Sequence, residues 1–130
     1  MKRYVLLILI ATFLYSCNSS INAGDLYGKW KYIKVEKPHA YPPDSVSTSE
    51  LRAQAPYIQF SKDNLYVIIW GGTPLSHGKF SLDGKNILIT EVLADGSTRQ
   101  FPFWVMSLKD KEIIFETKGD DGSRVTAVKE

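Results

Sequence analysis

From Gly28 onward, short runs of apolar and β-branched residues alternate with polar turn residues. The runs recur about every 8 to 12 residues, a spacing that is typical of all-β domains. Eight of them are predicted as strands, at residues 29–36, 57–60, 65–70, 77–82, 87–93, 98–108, 112–117 and 124–129. The pattern therefore predicts an all-β fold.

Short polar links join most of these strands. Gly, Asn, Asp or charged residues supply the turn tips at 61–64, 83–86, 94–97, 109–111 and 118–123, where positive φ angles or side-chain turn bonds are needed. Such links make consecutive strands antiparallel neighbours. Eight strands in this order favour an eight-stranded antiparallel up-and-down barrel, because closure removes both sheet edges.

The connection from 37 to 56 is longer and contains a helix signal. Ser47 and Glu50 form a capping-box pattern, in which each side chain can bond the backbone N–H of the other residue. Pro56 cannot continue a helix. We predict one short helix in this first long loop, from Thr48 to Ala55.

Successive links of an up-and-down barrel alternate between its two ends. The links after the second, fourth and sixth strands are short, whereas the other end carries the longer links 37–56, 71–76 and 118–123. This asymmetry predicts one closed end and one open mouth. We expect a ligand to enter between the links 37–56 and 71–76. Four aromatic side chains are expected there: His39, Tyr41, Trp70 and His77.

The N-terminal segment has the order of a bacterial secretory signal. Lys2 and Arg3 precede an apolar run at 4–15, which reaches only about 18 Å as a helix and falls short of a bilayer core of about 30 Å. The last residues before the single cysteine, Leu14-Tyr15-Ser16-Cys17, resemble the lipobox of bacterial lipoproteins. An ordinary cleaved signal with an incidental cysteine is the alternative interpretation.

The lipobox resemblance implies that the Cys17 thiol is acylated and that Cys17 becomes the first mature residue. Residues 1–16 would then be the signal peptide, 17–25 a lipidated tether, and 26–130 the barrel domain. Asn18 stands where aspartate often signals inner-membrane retention, so the resemblance implies a lipid-anchored protein of the cell envelope, in the outer membrane of a Gram-negative bacterium.

Charge and composition exclude several functions. The 130 residues include 16 basic and 14 acidic side chains, and without Lys2 and Arg3 the two numbers are equal. Such a chain lacks the clustered positive charge that nucleic-acid binding requires. One cysteine and two separated histidines predict no disulfide, no metal site and no cofactor. We also predict no catalytic site, since Ser76 and His77 point in opposite directions on a strand.

The opening of the first strand, Gly28-Lys29-Trp30, resembles the Gly-x-Trp motif of lipocalins and bacterial lipocalin-like lipoproteins. The resemblance covers residues 26–129 and implies that Trp30 plugs the closed end of the barrel. Lipocalins usually place an arginine over this ring. Here Lys129 is expected near Trp30, either as a weaker substitute held by cation–π attraction or as a solvated terminal charge.

The resemblance further implies a non-catalytic protein that binds a small apolar or amphipathic ligand inside the barrel. The candidate ligand-binding residues are Tyr32, Tyr41, Phe60, Trp70, His77, Phe80, Phe101, Phe103 and Phe115. Ile58, Ile87, Ile89, Ile113 and Val125 are also expected to point inward. The alternative is a solid core, because a domain of this size must bury most of its apolar surface to be stable.

Strands 65–70 and 98–108 are apolar on both faces, which is unusual for a barrel in water. The outward residues expected to form an apolar patch are Leu88, Trp104, Met106 and Ile114. This patch predicts contact with a protein partner, a second copy of the chain or the membrane surface, unless the short helix or the N-terminal segment covers it. An interaction module with a solid core, such as an inhibitor, immunity or assembly lipoprotein, is therefore the alternative function. Pro102 predicts a bulge or an incompletely closed sheet.

Overall fold

The computed structural model describes residues 20–117 and 122–130. The predicted signal peptide and Cys17 lie outside the described residues. The described chain forms two short helices, α1 (Ala23–Leu26) and α2 (Thr48–Gln54). Its strands are β1 (Gly28–Lys37), β2 (Asp44–Ser45), β3 (Tyr57–Phe60), β4 (Leu65–Trp70), β5 (Thr73–Asp83), β6 (Asn86–Val92), β7 (Thr98–Lys109), β8 (Glu112–Glu116) and β9 (Arg124–Lys129).

Eight strands close into an antiparallel up-and-down barrel. Each of β3 to β9 pairs with its neighbours in chain order, and β1 pairs with both β3 and β9. The closing seam runs from Trp30 opposite Lys129 to Glu36 opposite Arg124. The two-residue β2 pairs only with the end of β1. The predicted fold class is confirmed, including the short helix in the first long loop.

The helix α2 begins and ends where its sequence signals lie. The Glu50 backbone N–H donates to Ser47 Oγ at 3.1 Å, as an N-cap requires. Ala55 adopts the left-handed conformation at the C-terminus, and Pro56 follows. Leu51 is buried in the core, and this burial holds so short a helix in place.

The prediction of a long link at 71–76 is wrong. The strand β5 begins at Thr73, opposite Trp70, so only Gly71 and Gly72 form the turn. Both glycines have positive φ angles, of 62° and 78°, which suit a two-residue hairpin turn. Pro74 follows within the strand, opposite Ile69, next to a bulge that makes Leu75 the extra residue.

The prediction of a bulge at Pro102 or of an open sheet is also wrong. Pairing between β6 and β7 continues without interruption through Leu88 opposite Pro102, and the barrel closes. The β7–β8 ladder ends at Trp104 opposite Glu116 in the described part of the chain, so Pro102 has a ladder on one side only, a position where proline is tolerated. The bulge lies at Met106 instead, between Val105 and Ser107.

The barrel has two distinct ends. We call the end that holds the turns 61–64, 84–85 and 110–111 the closed end, and the opposite end, with the loop 38–56, the open end. At the closed end, Trp30 is fully buried and its Nε1–H donates to the Leu26 carbonyl at 2.8 Å. Lys129 Nζ lies 5.3 Å from the centroid of the Trp30 ring.

The hydrophobic core fills the interior of the barrel. Its buried inward-facing residues are Trp30, Tyr32, Ile58, Phe60, Tyr66, Phe80, Ile87, Ile89, Phe103, Ile113, Phe115, Val125 and Ala127. Neither helix in residues 20–117 and 122–130 has the length and apolar composition needed to cross a membrane.

Candidate ligand-binding site

The interior of the barrel is filled near the closed end and in the middle. Phe103 stacks on Phe115 with ring centroids 4.7 Å apart, and Phe60 meets Phe80 edge to face at 4.9 Å. The inward side chains of these layers have almost no accessible surface. A ligand therefore has little free space in this part of the barrel.

Near the open end the inward side chains become accessible. Ile68 and Trp70 on β4 and Phe101 on β7 are only half-buried, although all three pack against the core. Apolar surface is therefore accessible at the open end, on these three side chains. We call Ile68, Trp70 and Phe101 the apolar rim.

The helix α2 covers one side of the open end. Leu51 packs into the core, and the Gly71 N–H donates to the Gln54 carbonyl at 2.8 Å. The loop that carries α2 is thus bonded to the β4–β5 turn. The predicted ligand entry between the links 37–56 and 71–76 is wrong, because this contact occupies it. On the β6–β7 side of the open end, Arg99 is exposed and Phe101 is half-buried, so we take this as the accessible side.

A chain of hydrogen bonds crosses the interior on this accessible side. Ser76 Oγ donates to Glu91 Oε2 at 2.5 Å, and the Tyr66 hydroxyl lies 2.8 Å from Ser76 Oγ. Because a serine hydroxyl carries one proton, Tyr66 is the donor in the second bond. Arg99 Nε donates to Glu91 Oε1 at 2.6 Å. We call Tyr66, Ser76, Glu91 and Arg99 the polar cluster.

Strand register explains how the polar cluster forms. Tyr66, Gly78, Glu91 and Arg99 are successive cross-strand partners on β4, β5, β6 and β7. A Cβ atom at Gly78 would overlap the Thr90 carbonyl oxygen and lie 3.2 Å from the Glu91 Cα. Glycine is therefore required where β5 and β6 approach each other beside the cluster.

Burial sets the electrostatics of the polar cluster. Glu91 is 8% exposed and is the only buried charged residue in the described ranges, whereas the Arg99 side chain is 63% exposed. A buried carboxylate needs a charged or hydrogen-bonding partner, and both oxygens of Glu91 have one. The sequence indicates this inward position, since Ile87, Ile89 and Glu91 share one face of β6.

Two buried tyrosines, Tyr32 and Tyr66, lie in the interior of the barrel. Burial raises the pKa of Tyr32, and the nearby Tyr66 raises it further. Burial also raises the pKa of Tyr66, against the opposing effect of its bond to Ser76. Both side chains are therefore neutral in the folded protein at the ordinary phenol pKa of 10.0.

These raised pKa values predict a loss of stability in alkali. Above pH 10 the unfolded chain releases the Tyr32 proton while the folded chain keeps it, so the free energy of unfolding falls by about 1.4 kcal/mol per pH unit for this residue. Urea unfolding at pH 9, 10 and 11 measures the slope. Tyr32→Phe should flatten it, whereas Tyr41→Phe, at a fully exposed position, should not. An unchanged slope in Tyr32→Phe contradicts the prediction.

The structure separates the predicted ligand-binding residues into four groups. Tyr32, Phe60, Phe80, Phe103 and Phe115 lie in the filled core, and Trp70 and Phe101 belong to the apolar rim. Tyr41 and His39 are exposed on the loop 38–56. The placement of His77 at the mouth is wrong, because β5 begins before it and His77 faces outward opposite Val67.

The predicted outer patch lies on β6, β7 and β8. Leu88, Trp104 and Met106 are exposed, and Ile114 is half-buried. The helix α2 packs elsewhere, against β1. A groove of about 490 Å³ separates Met106 from the segment that begins at Ser20. The alternative function, an interaction module that binds a partner through this surface, stays a prediction.

A second apolar groove on the outside of the barrel was missed. It has a volume of about 540 Å³ and is lined by Leu65, Val67, Pro74, His77 and Val92, among others. The sequence indicated this groove only through the apolar outer face of β4. Its pairing with the bulged start of β5 could not be foreseen once residues 71–76 were interpreted as a loop.

The described residues contain no group of three or more His, Cys, Asp or Glu side chains placed to hold a metal ion.

Comparisons with known proteins support the fold. No protein-family model matches the chain, and no significant match occurs among curated proteins. Among solved structures, the barrel is similar to the crystal structure of a lipocalin-like protein from Bacteroides uniformis, with a TM-score of 0.57 and 18% sequence identity. The match covers 82% of this chain and 99% of the other. The protein therefore has a lipocalin-like barrel fold, and this similarity shows the fold alone.

Proposed function

We propose that this protein is a non-catalytic binding protein that holds a small apolar or amphipathic ligand at the open end of its barrel. The observation that carries the proposal is the change in burial along the interior, which is filled at the closed end and accessible at the apolar rim. Lipocalin-like barrels offer this arrangement, a rigid wall around an apolar interior with one accessible end.

The apolar rim would supply most of the affinity. Each square ångström of apolar surface that a ligand removes from water contributes about 25 cal/mol. Phe101 and Trp70 are the aromatic, half-buried side chains of this rim. Because the deeper layers are packed, the ligand would enter only part of the barrel, and its remaining part would stay near the surface.

The polar cluster would orient the ligand. Arg99 lies at the accessible side, with its guanidinium carbon 5.5 Å from the centroid of the Phe101 ring. Ser76 is half-buried beside the half-buried Ile68 of β4. An amphipathic molecule can place its chain on the rim and its polar group beside Arg99, which favours this class over a fully apolar ligand.

The proposal also includes attachment to a membrane. The lipobox-like sequence before Cys17 supports acylation of the mature N-terminus, and two or more acyl chains give stable anchoring. Asn18 supports the outer membrane of a Gram-negative bacterium as the location. A chain with balanced charge beyond Arg3 relies on the lipid rather than on charge for membrane binding.

Replacing Phe101 with alanine tests the binding site. We expect a dansyl-labelled fatty acid to bind with a Kd about tenfold weaker, because part of the buried apolar area at the rim is lost. Dansyl fluorescence titration measures this change. Trp104→Ala is the matched control, since Trp104 lies on the same strand and faces outward, and it should leave the Kd unchanged.

Circular dichroism first establishes that both variants are folded. If Phe101→Ala does not fold, Phe101→Leu takes its place in the titration. The absence of saturable binding to the unmodified protein, or an equal loss of affinity in both variants, would overturn the proposed site.

A further inference from the structure

We infer that the closed end of the barrel lies against the membrane surface and that the open end points away from it. The inference rests on the lipid attachment at Cys17 proposed above. It adds an orientation and a contact surface, and both follow from where the described N-terminal segment lies on the barrel.

The N-terminal segment is fixed to the closed end. The Ile21 N–H donates to the Gly84 carbonyl in the β5–β6 turn at 3.1 Å, and Ile21 packs against the core. Farther along the chain, the Trp30 indole N–H donates a hydrogen bond to the Leu26 carbonyl. The segment from Ser20 to Leu26 is therefore part of the closed end rather than a long flexible spacer.

Chain length then limits where the lipid can be. Cys17 precedes Ser20 by three residues, which span at most about 10 Å when fully extended. The longest strand, β7, has 12 residues and, at a tilt of about 40°, spans about 30 Å along the barrel axis. Acyl chains at Cys17 thus begin close to the closed end and cannot reach the open end. Their insertion brings the closed end to the bilayer.

The closed end carries side chains suited to a lipid headgroup layer. Met106 is 56% exposed and lines the groove that also contains Ser20. Lys85, Lys109 and Lys129 border the same groove, together with Asp25 and Asp110. Lysine stems can follow the apolar boundary while their ammonium groups meet phosphates. Because the two aspartates offset most of this positive charge, neutral phosphatidylcholine should suffice as the membrane.

This orientation has a consequence for ligand exchange. The exposed Arg99 lies ten residues before Lys109 on β7, which places it about 25 Å along the barrel axis from the closed end. The apolar rim and Arg99 therefore face the aqueous side. An amphipathic ligand would therefore enter from solution and not directly from the anchoring bilayer.

Single cysteines at opposite ends of β6 test the orientation. Lys85→Cys lies in the turn before β6 and Ala94→Cys in the turn after it, and both positions are exposed. The full chain is produced in a Gram-negative host, labelled with an NBD maleimide and reconstituted into phosphatidylcholine vesicles. Addition of phosphatidylcholine with a nitroxide on its headgroup should quench the label at position 85 at least threefold more than the label at position 94.

A second pair repeats the comparison on the barrel wall. Met106 and Leu75 are both exposed bulge residues, near the closed and the open end respectively. Met106→Cys should be quenched strongly and Leu75→Cys weakly. Equal quenching within both pairs, or stronger quenching at 94 and 75, overturns the inferred orientation.

Two further readouts test the lipid attachment separately. Mass spectrometry of the unmodified protein should show the acylated Cys17, and its thiol should take up no maleimide. If Cys17 reacts with maleimide and the Cys17→Ser variant binds vesicles equally, the proposed attachment fails. If Cys17 is acylated and the quenching pattern is reversed, only the orientation fails.

Discussion

Replacing Gly78 with alanine should lower the free energy of unfolding by about 3 kcal/mol and the melting temperature by about 12 °C. The added Cβ would overlap the Thr90 carbonyl oxygen and crowd the Glu91 Cα at 3.2 Å. Both are backbone atoms of β6, so no side-chain rotation relieves the overlap, and β5 must separate from β6. Thermal unfolding followed by circular dichroism measures the loss.

Gly24→Ala is the matched control for this variant. Gly24 lies in α1, and a Cβ there would have no atom within 4 Å. Its stability should stay within about 0.5 kcal/mol of the unmodified protein. If Gly78→Ala is as stable as Gly24→Ala, the backbones of β5 and β6 are farther apart at Gly78 than the structure indicates.

The Gly78→Ala variant also connects stability with the proposed site. Separation of β5 from β6 would pull Ser76 away from Glu91, whose carboxylate accepts bonds from Ser76 and Arg99. A buried carboxylate without these partners is costly. Weakened binding of the labelled fatty acid should therefore accompany the loss of stability, even at temperatures where the variant remains folded.

Trp30→Ala should destabilise the protein by about 4 kcal/mol, the cost of emptying a large, fully buried site. Trp30 is among the largest fully buried side chains, and its Nε1–H holds the Leu26 carbonyl. The substitution leaves a cavity at the closed end and removes the bond that fixes the end of α1. Urea unfolding monitored by far-ultraviolet circular dichroism gives the change.

Two other variants separate the contributions at the closed end. Trp104→Ala, at a side chain that is 39% exposed on the outside, should cost less than about 1 kcal/mol. Trp30→Phe keeps most of the volume but loses the N–H donor, and should cost about 2 kcal/mol. Equal losses in Trp30→Ala and Trp104→Ala would contradict the role of Trp30 as the buried plug of the barrel.

The sequence predicted the elements whose signals are local. The strands β3, β4 and β9 have the predicted bounds, because each is a β-rich run between clear turn residues. The helix α2 was predicted from the Ser47 cap and Pro56. The link 71–76 was misinterpreted, because Gly71, Gly72 and Pro74 together indicate a loop. A proline next to a bulge is tolerated in a strand, and only pairing with β4 reveals that situation.

The candidate site was only partly predictable. Phe101 and Trp70 were among the predicted ligand-binding residues, but Glu91 and Arg99 were not placed in the interior. In the sequence, a charged residue at an inward position is interpreted as facing solvent unless its hydrogen-bonding partners are known. The bond between Ser76 and Glu91 joins residues that are 15 positions apart, and no local pattern encodes it.

The sequence by itself determined an all-β barrel, its strand order and the side chains of its core, because hydrophobic alternation and turn residues act over a few positions. Only the tertiary structure decided which end of the interior stays accessible, that α2 is bonded to the Gly71 turn, and that the N-terminal segment is fixed to the closed end. These features depend on strand register and on contacts between distant segments. Their energies arise only when the barrel has closed.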